Sequence, residues 1–241
     1  MRNIRLITPS QTRRKIRYHN NHTHPMNVEL LNHFGDDLMI VNAARVSYDK
    51  ESKEFGDKDT RLIKFLIDHK HTSPLRHPQL QFRIECPIYV ERQLFKHQVG
   101  MSANSISGRY VDFHDEYEAP TQYRLQSKDS KQGSDGHLHE ELNDLIVSRV
   151  NAVINESKKL YQDMVELGVS KEQARCHLPL CLMTKFIWTG SLLSFIHLFN
   201  LRLKPDAQQE TRELVQMMLD AVRLIDGNPF KHSLEALGYG G

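Results

Sequence analysis

The sequence predicts an α/β fold with a helical C-terminal half, on two observations. Residues 79–86 alternate cleanly, with Leu80, Phe82, Ile84 and Cys86 on one side and Gln79, Gln81, Arg83 and Glu85 on the other. That period of two is the mark of a half-buried strand. The second half reads instead at helical spacing, where Leu192, Phe195, Ile196 and Phe199 form an apolar stripe that belongs to the core. At 241 residues the chain can bury one substantial core, and we expect one domain over 26–241 behind a basic extension over 1–25.

Taken in order, residues 1–25 carry Arg2, Arg5, Arg13 and Arg14, then His19, His22 and His24 before Pro25. They read as a loosely held extension or an edge strand, and without an apolar core they do not read as a secretory signal. Val28 to Phe34 is predicted as a short strand turning at Gly35-Asp36. Asp36 or Asp37 can cap a helix carrying Leu38, Val41 and Ala44. A second helix, 59–70, places Leu62, Ile63, Leu66 and Ile67 on one face. From His69 to Pro78, two prolines and three histidines predict an ordered loop that presents His71 and Ser73 to a ligand. Histidines this close in sequence converge poorly on a metal, so none is expected.

Pro87 suits the first turn of a helix that follows the alternating strand. Residues 109–113 read as a returning strand and 126–136 as a flexible surface loop. A long helix over 138–167 should end at Gly168. Ser170-Lys171-Glu172-Gln173 has the form of a capping box for a short helix holding Arg175, stopped near Pro179. Helices over 184–201 and 205–225 complete the fold, and Gly238-Tyr239-Gly240-Gly241 reads as a tail.

Composition narrows the function classes. The formal net charge of +2 is too balanced for a non-specific nucleic-acid binder. No apolar run approaches the roughly 20 residues that cross a bilayer, and mean hydropathy is -0.54. Cys86, Cys176 and Cys181 are an odd number without a Cys-x-x-Cys pair, which points to a reducing cytoplasm and to buried, unreactive thiols. There is no Gly-x-Gly-x-x-Gly turn and no P-loop.

The chemistry concentrates in Arg92 to Tyr110. Arg92 and Lys96 are four apart, as are Gln93 and His97, so each pair shares a face of the expected helix. From Val99 the stretch is predicted as a loop of hydroxyl and amide residues ending in Arg109 and Tyr110. Donors dominate and carboxylates are absent, which suits a phosphate or an anionic heterocycle better than a metal.

In this order the residues resemble the flavin-dependent thymidylate synthases. That family carries Arg-His-Arg, then after seven or eight residues Ser, one residue, and Arg-Tyr. Here Lys96-His97-Gln98 stands at the triplet, eight residues follow, and then come Ser107, Gly108 and Arg109-Tyr110. Ala43 through Tyr48, His71 through Pro74, Phe82 through Gln93, Ala174-Arg175, Leu178-Pro179-Leu180, Phe186 through Thr189, Asn200-Leu201-Arg202 and Ala207-Gln208 agree as well. Three departures stand out: the two outer triplet positions, Ser105 in place of a Glu after Asn104, and Ser191-Leu192-Leu193 where Asn-x-Arg is frequent.

The resemblance implies a mainly antiparallel sheet flanked by helices, of the thymidylate-synthase-complementing type, in a homotetramer whose subunits share active sites. It implies FAD, with NADPH and methylenetetrahydrofolate as co-substrates, and dUMP as the acceptor of the one-carbon unit. Carried over residue by residue, Ser47, His71, Ser73, Lys96, His97, Gln98, Asn104, Ser105, Ser191 and His197 fall on the flavin. Gln93, Lys96, Ser105, Ser107, Arg109, Arg175 and Arg202 fall on dUMP, with Arg202 as the catalytic cation polarising the uracil. No protein nucleophile is implied, consistent with cysteines outside any nucleophile motif. Two other readings stay open: a flavin enzyme adding a different one-carbon group, such as hydroxymethyl, and a non-catalytic nucleotide-binding homologue.

Overall fold

Four antiparallel strands carry the core. In the computed structural model, which describes residues 26–111, 116–129, 131 and 133–240, the elements are β1 (Asn27–Phe34), α1 (Asp37–Arg45), α2 (Asp57–Asp68), β2 (Gln79–Pro87), α3 (Ile88–Leu94), β3 (Met101–Ser105), β4 (Arg124–Gln126), β5 (Ser134–His137), α4 (Glu140–Glu166), α5 (Lys171–Ala174), β6 (Met183–Ser191), α6 (Leu192–Arg202), α7 (Gln209–Arg223) and α8 (Lys231–Ala236). The main sheet has the order β1-β2-β6-β3. Every neighbouring pair in it is antiparallel. Its register sets Phe82 opposite Trp188 and Ile84 opposite Phe186. The α6 ring of Phe195 meets Phe82 at 5.1 Å and Trp188 at 5.6 Å, both edge-on. That is the favoured geometry for aromatic pairs. Leu192, Phe195, Ile196 and Phe199 are all buried, as their spacing requires.

The expected elements that survive do so for the expected reasons. The Asp36 side chain accepts from Met39 N at 2.8 Å and starts α1. Gly168, at a φ of +84°, follows α4, where a left-handed residue closes a helix.

Several expectations are corrected. Residues 183–191 form the central strand β6, not the start of a helix. Phe186, Trp188 and Gly190 face inward while Lys185 and Ile187 are exposed. Thr184, Ile187 and Thr189 are β-branched, which favours the strand. A side chain on Gly190 would sit 2.2 Å from Met101 Sδ, so glycine is what lets β3 pass alongside.

The stretch after Val99 is likewise the edge strand β3, paired to β6 from Met101↔Gly190 to Ser105↔Phe186. Its small polar residues show no alternation, because Ser102 to Ser105 are all exposed and only the backbone pairs. Residues 108–110 form a turn where a strand was expected, and 112–113 lie outside the described residues. So do the extension 1–25 and its histidines.

The 126–136 stretch holds the paired ends of β4 and β5, not a loop throughout. Ser170 makes no side-chain cap bond; α5 is four residues long, and Arg175 opens a 3-10 turn. The C-terminal segment is not a free tail. Arg223 donates twice to the Tyr239 carbonyl, at 2.9 and 2.8 Å, and Tyr239 Oη donates to Asn200 Oδ1 at 2.6 Å. Cys86 is buried as expected, whereas Cys176 is exposed and Cys181 only partly covered.

Candidate active site

α3 begins at the end of β2 and stops at Leu94, so Lys96 and His97 lie just past the helix and not on it. α6 begins at the end of β6 and brings Arg202, in its last turn, to the same place. Arg202 Nε donates to His97 Nε2 at 3.2 Å, and Nη2 donates to the Gln93 carbonyl at 3.1 Å. An imidazole nitrogen that accepts must be unprotonated, so His97 is neutral with its hydrogen on Nδ1. Burial, Arg202 and His197 together hold the His97 pKa below the ordinary histidine value. Burial also lowers the Arg202 pKa. Arg202 Nη1 has no protein acceptor among the described residues. The result is a fixed cation with N–H groups to spare.

The Gln93 side chain is held as well: its Nε2 donates to Gln208 Oε1, a residue just before α7. Two residues earlier on α3, Glu91 Oε1 accepts from Ser105 Oγ at 2.8 Å. Burial raises the Glu91 pKa, with the Ser105 bond opposing. No carboxylate lies within 92–110; the structure supplies one from the residue immediately before it, Glu91.

Arg109 and Arg175 meet around Glu172. Arg109 Nε is 3.8 Å from Glu172 Oε2, and Arg175 Nε donates to the Glu172 carbonyl at 3.4 Å. Both arginines are partly open to solvent, and the Arg109 guanidinium lies 5.8 Å from the Tyr110 ring centre. Ser107 Oγ accepts from Arg109 N at 3.4 Å, which organises the turn presenting that arginine.

The other flagged residues divide in two. Ser191 caps α6: its Oγ accepts from Ser194 N at 3.2 Å and pairs with Ser194 Oγ at 2.8 Å. Because Ser194 Oγ also donates to the Val99 carbonyl at 3.0 Å, this hydroxyl pair ties α6 to the entrance of β3. Lys96, Gln98, Asn104 and His197 are exposed. Ser47 and Ser73 sit in 3-10 turns, Val46–Tyr48 and Ser73–Arg76, with His71 exposed just before the second. That second turn packs on α1 and α6. Among the described residues, no hydrogen bond joins Ser47, His71 or Ser73 to the Gln93–His97–Arg202 group.

One chain thus gathers Gln93, His97 and Arg202, joins Ser105 to Glu91, and brings Arg109 and Arg175 to Glu172; it makes no such link to Ser47, His71 or Ser73. Glu91, Glu172 and Glu210 were not flagged from sequence, and Gln208 was noted only as part of a motif. Lone carboxylates in amphipathic segments carry no sequence signal beyond that of surface charge.

The thymidylate synthase complementing protein family matches residues 29–226. The chain belongs to the flavin-dependent thymidylate synthases. The enzyme of that name from Thermus thermophilus is 39% identical over 196 residues, covering 81% of this chain and 71% of that one. Its counterpart in Thermosipho africanus is 36% identical over 186 residues, covering 77% and 81%. Among solved structures, the UMP/dUMP methylase PolB from Streptomyces cacaoi bound with 5-Br dUMP aligns with a TM-score of 0.79 at 25% identity, over 89% of this chain and 96% of that one. As a flavin-dependent thymidylate synthase, the chain is an enzyme of the methyltransferase class. Among the described residues, no helix is long and apolar enough to cross a membrane.

Proposed function

We propose that this enzyme converts dUMP to dTMP in the cytoplasm, taking the one-carbon unit from methylenetetrahydrofolate with NADPH-reduced FAD as mediator and reductant. The observation that carries the reading is Arg202, clamped between a neutral imidazole and a backbone carbonyl with N–H groups left over. A cation fixed in this way stabilises negative charge developing on a uracil ring and favours loss of its N3 proton, without having to reorganise at the moment of reaction.

Gln93 orients the nucleotide with its amide. Ser107, Arg109 and Arg175 bind the phosphate through charge-assisted bonds, a dianion displacing the loose contact to Glu172. Lys96 and Ser105 border both ligands. The residues present fit a flavin: Lys96, Gln98, Asn104 and His197 offer exposed donors and acceptors around the His97–Arg202 pair. A dinucleotide with carbonyls and a diphosphate needs such a set. When bound, the flavin supplies reducing equivalents and relays the one-carbon unit. Ser191 contributes less through its own hydroxyl, which is engaged at the start of α6.

Ser47, His71 and Ser73 complete the flavin site from neighbouring subunits of a homotetramer. The long helix α4 supports that assembly. Its outward side carries Leu142, Leu145, Val153 and Leu160, between 43% and 61% exposed, an apolar surface suited to another copy of the chain. Residues 26–241 would then act as one catalytic domain behind the 1–25 extension.

Tritium release from 5-tritiated dUMP, with FAD, NADPH and methylenetetrahydrofolate supplied, tests the reaction; no release defeats it. Light scattering of the purified enzyme tests the tetramer. The likeness to a UMP/dUMP methylase favours a second reading in which UMP is accepted too, and dUMP and UMP offered in competition separate the two.

A further inference from the structure

The Gln93 amide ends a chain of polar groups that begins far from the nucleotide. Arg124, on β4, places Nη2 2.7 and 3.0 Å from the two carboxylate oxygens of Glu210, and its Nη1 donates to Gln209 Oε1 at 3.1 Å. Glu210 is 6% exposed. Burial pushes its pKa up, but the bonds from Arg124, its own backbone and Gln208 outweigh burial and leave it below the ordinary value. It is therefore an ionised carboxylate, able only to accept.

That fact propagates. Gln208 must turn its NH2 toward Glu210, as it does at 2.9 Å. Its oxygen is then committed to the other side, where Gln93 Nε2 donates to it. Each amide has one way round that satisfies the chain, and reversing either puts two donors or two acceptors face to face. Gln93 is left with its oxygen, which has no protein donor among the described residues.

We propose that Glu210, acting through Gln208, sets the polarity of the Gln93 amide so that Gln93 Oε1 faces the nucleotide as an acceptor, matched to a donor on it. Glu210 and Gln208 are positioning residues. Resting on the assignment of dUMP, this names the chemistry recognised at that point: a ribose hydroxyl, and not a carbonyl or the N3 position that Arg202 helps to ionise. A buried acceptor-only anchor suits the task because the amide could otherwise rotate to offer either end at little cost.

The test measures dUMP binding and turnover by the FAD-loaded enzyme. Gln208→Met keeps the length and removes the relay while leaving the Arg124–Glu210 pair in place. We expect the dUMP Kd to rise about tenfold, close to one hydrogen bond's worth, with KM following and kcat at saturation little changed. Glu210→Gln, nearly the same shape, lets both amides turn over and should weaken dUMP by a smaller factor. It stands in if Gln208→Met does not fold. The 3′-deoxy analogue of dUMP tests that donor. The analogue lacking it binds weakly to wild type and loses nothing further in Gln208→Met.

Wild-type affinity for dUMP in both variants would overturn the proposal. The Gln93 side-chain amide signal gives a readout that needs no nucleotide: it should move in both variants. If wild type does not bind dUMP, the assigned substrate is wrong and this signal judges the relay alone, an unmoved resonance overturning it.

Discussion

Arg202 and the Arg109–Arg175 pair are all cations assigned to one nucleotide, yet the molecule treats them differently. Arg202 is partly buried and bound twice within its own chain, to groups that are neutral. Arg109 and Arg175 lie more openly around one exposed glutamate, with Arg109 Nε 3.8 Å from its carboxylate. An exposed pair at that distance contributes little to stability. The difference teaches where rigidity is needed. Charge that develops only during a reaction must meet a cation already in place, whereas a phosphate arrives fully charged and can draw flexible side chains to itself.

The sharpest way to break this comparison is at Arg202. Replacing it with alanine should lower kcat by about 10²–10³-fold, the usual effect of removing a fixed electrostatic group, with the melting temperature little altered. Arg202→Lys should recover only part, because an ammonium cannot reproduce the fork that engages His97 and Gln93 together. Steady-state kinetics of both variants beside wild type check this. Equal kcat values in all three would mean that fixing the cation is irrelevant.

Next come Arg109→Ala and Arg175→Ala. Each should raise KM for dUMP by about 10- to 150-fold, as expected when a charge-assisted bond worth roughly 1.5–3 kcal/mol is lost to solvent, and should leave kcat near wild type. Added salt should weaken dUMP binding less in the variants than in wild type. A fall in kcat instead would place these arginines with Arg202.

His97 sharpens the comparison through pH. Its folded pKa lies below the ordinary value, so its neutral form adds stability above about 6.5, and that contribution is lost as pH falls toward the folded pKa. Protonation also removes the acceptor for Arg202 Nε. The enzyme should therefore lose both stability and kcat on the acid side, and His97→Gln, which keeps an acceptor without titrating, should flatten that limb. An unchanged acid limb in His97→Gln would assign it to another group.

The smallest effect is expected at Glu91. Burial raises its pKa, so its contribution to stability is present in acid and lost as pH rises through the folded value. Once ionised, the buried carboxylate is a cost. Glu91→Gln should accordingly melt about 2–4 °C higher while perturbing flavin or nucleotide affinity through Ser105. A lower melting temperature would show that the Ser105–Glu91 bond outweighs the burial.

Much of the framework was readable beforehand. Alternation in 79–86 identified β2 because half of its residues are polar, and the stripe Leu192–Phe199 identified the core face of α6. β6 is hidden for a related reason. Its strand pattern runs straight into that helical stripe at Ser191, and the apolar residues of both merge into one long helix-like segment. β3 could not be read at all: Ser102, Ala103 and Asn104 have neither bulk nor alternation, and become a strand only because β6 offers them a hydrogen-bonding edge.

By itself the sequence determined what depends on neighbours along the chain: the period of β2, the caps at Asp36 and Gly168, the stripe of α6, and the ordered motif that names the family. The tertiary structure alone decided which polar groups would meet. Gln93 and Gln208 are 115 residues apart, as are none of the groups that local spacing can join, and Arg202 reaches His97 across 105. Such pairings follow from where helices enter and leave a sheet. They bury polar atoms whose directions are settled only when every donor has found an acceptor.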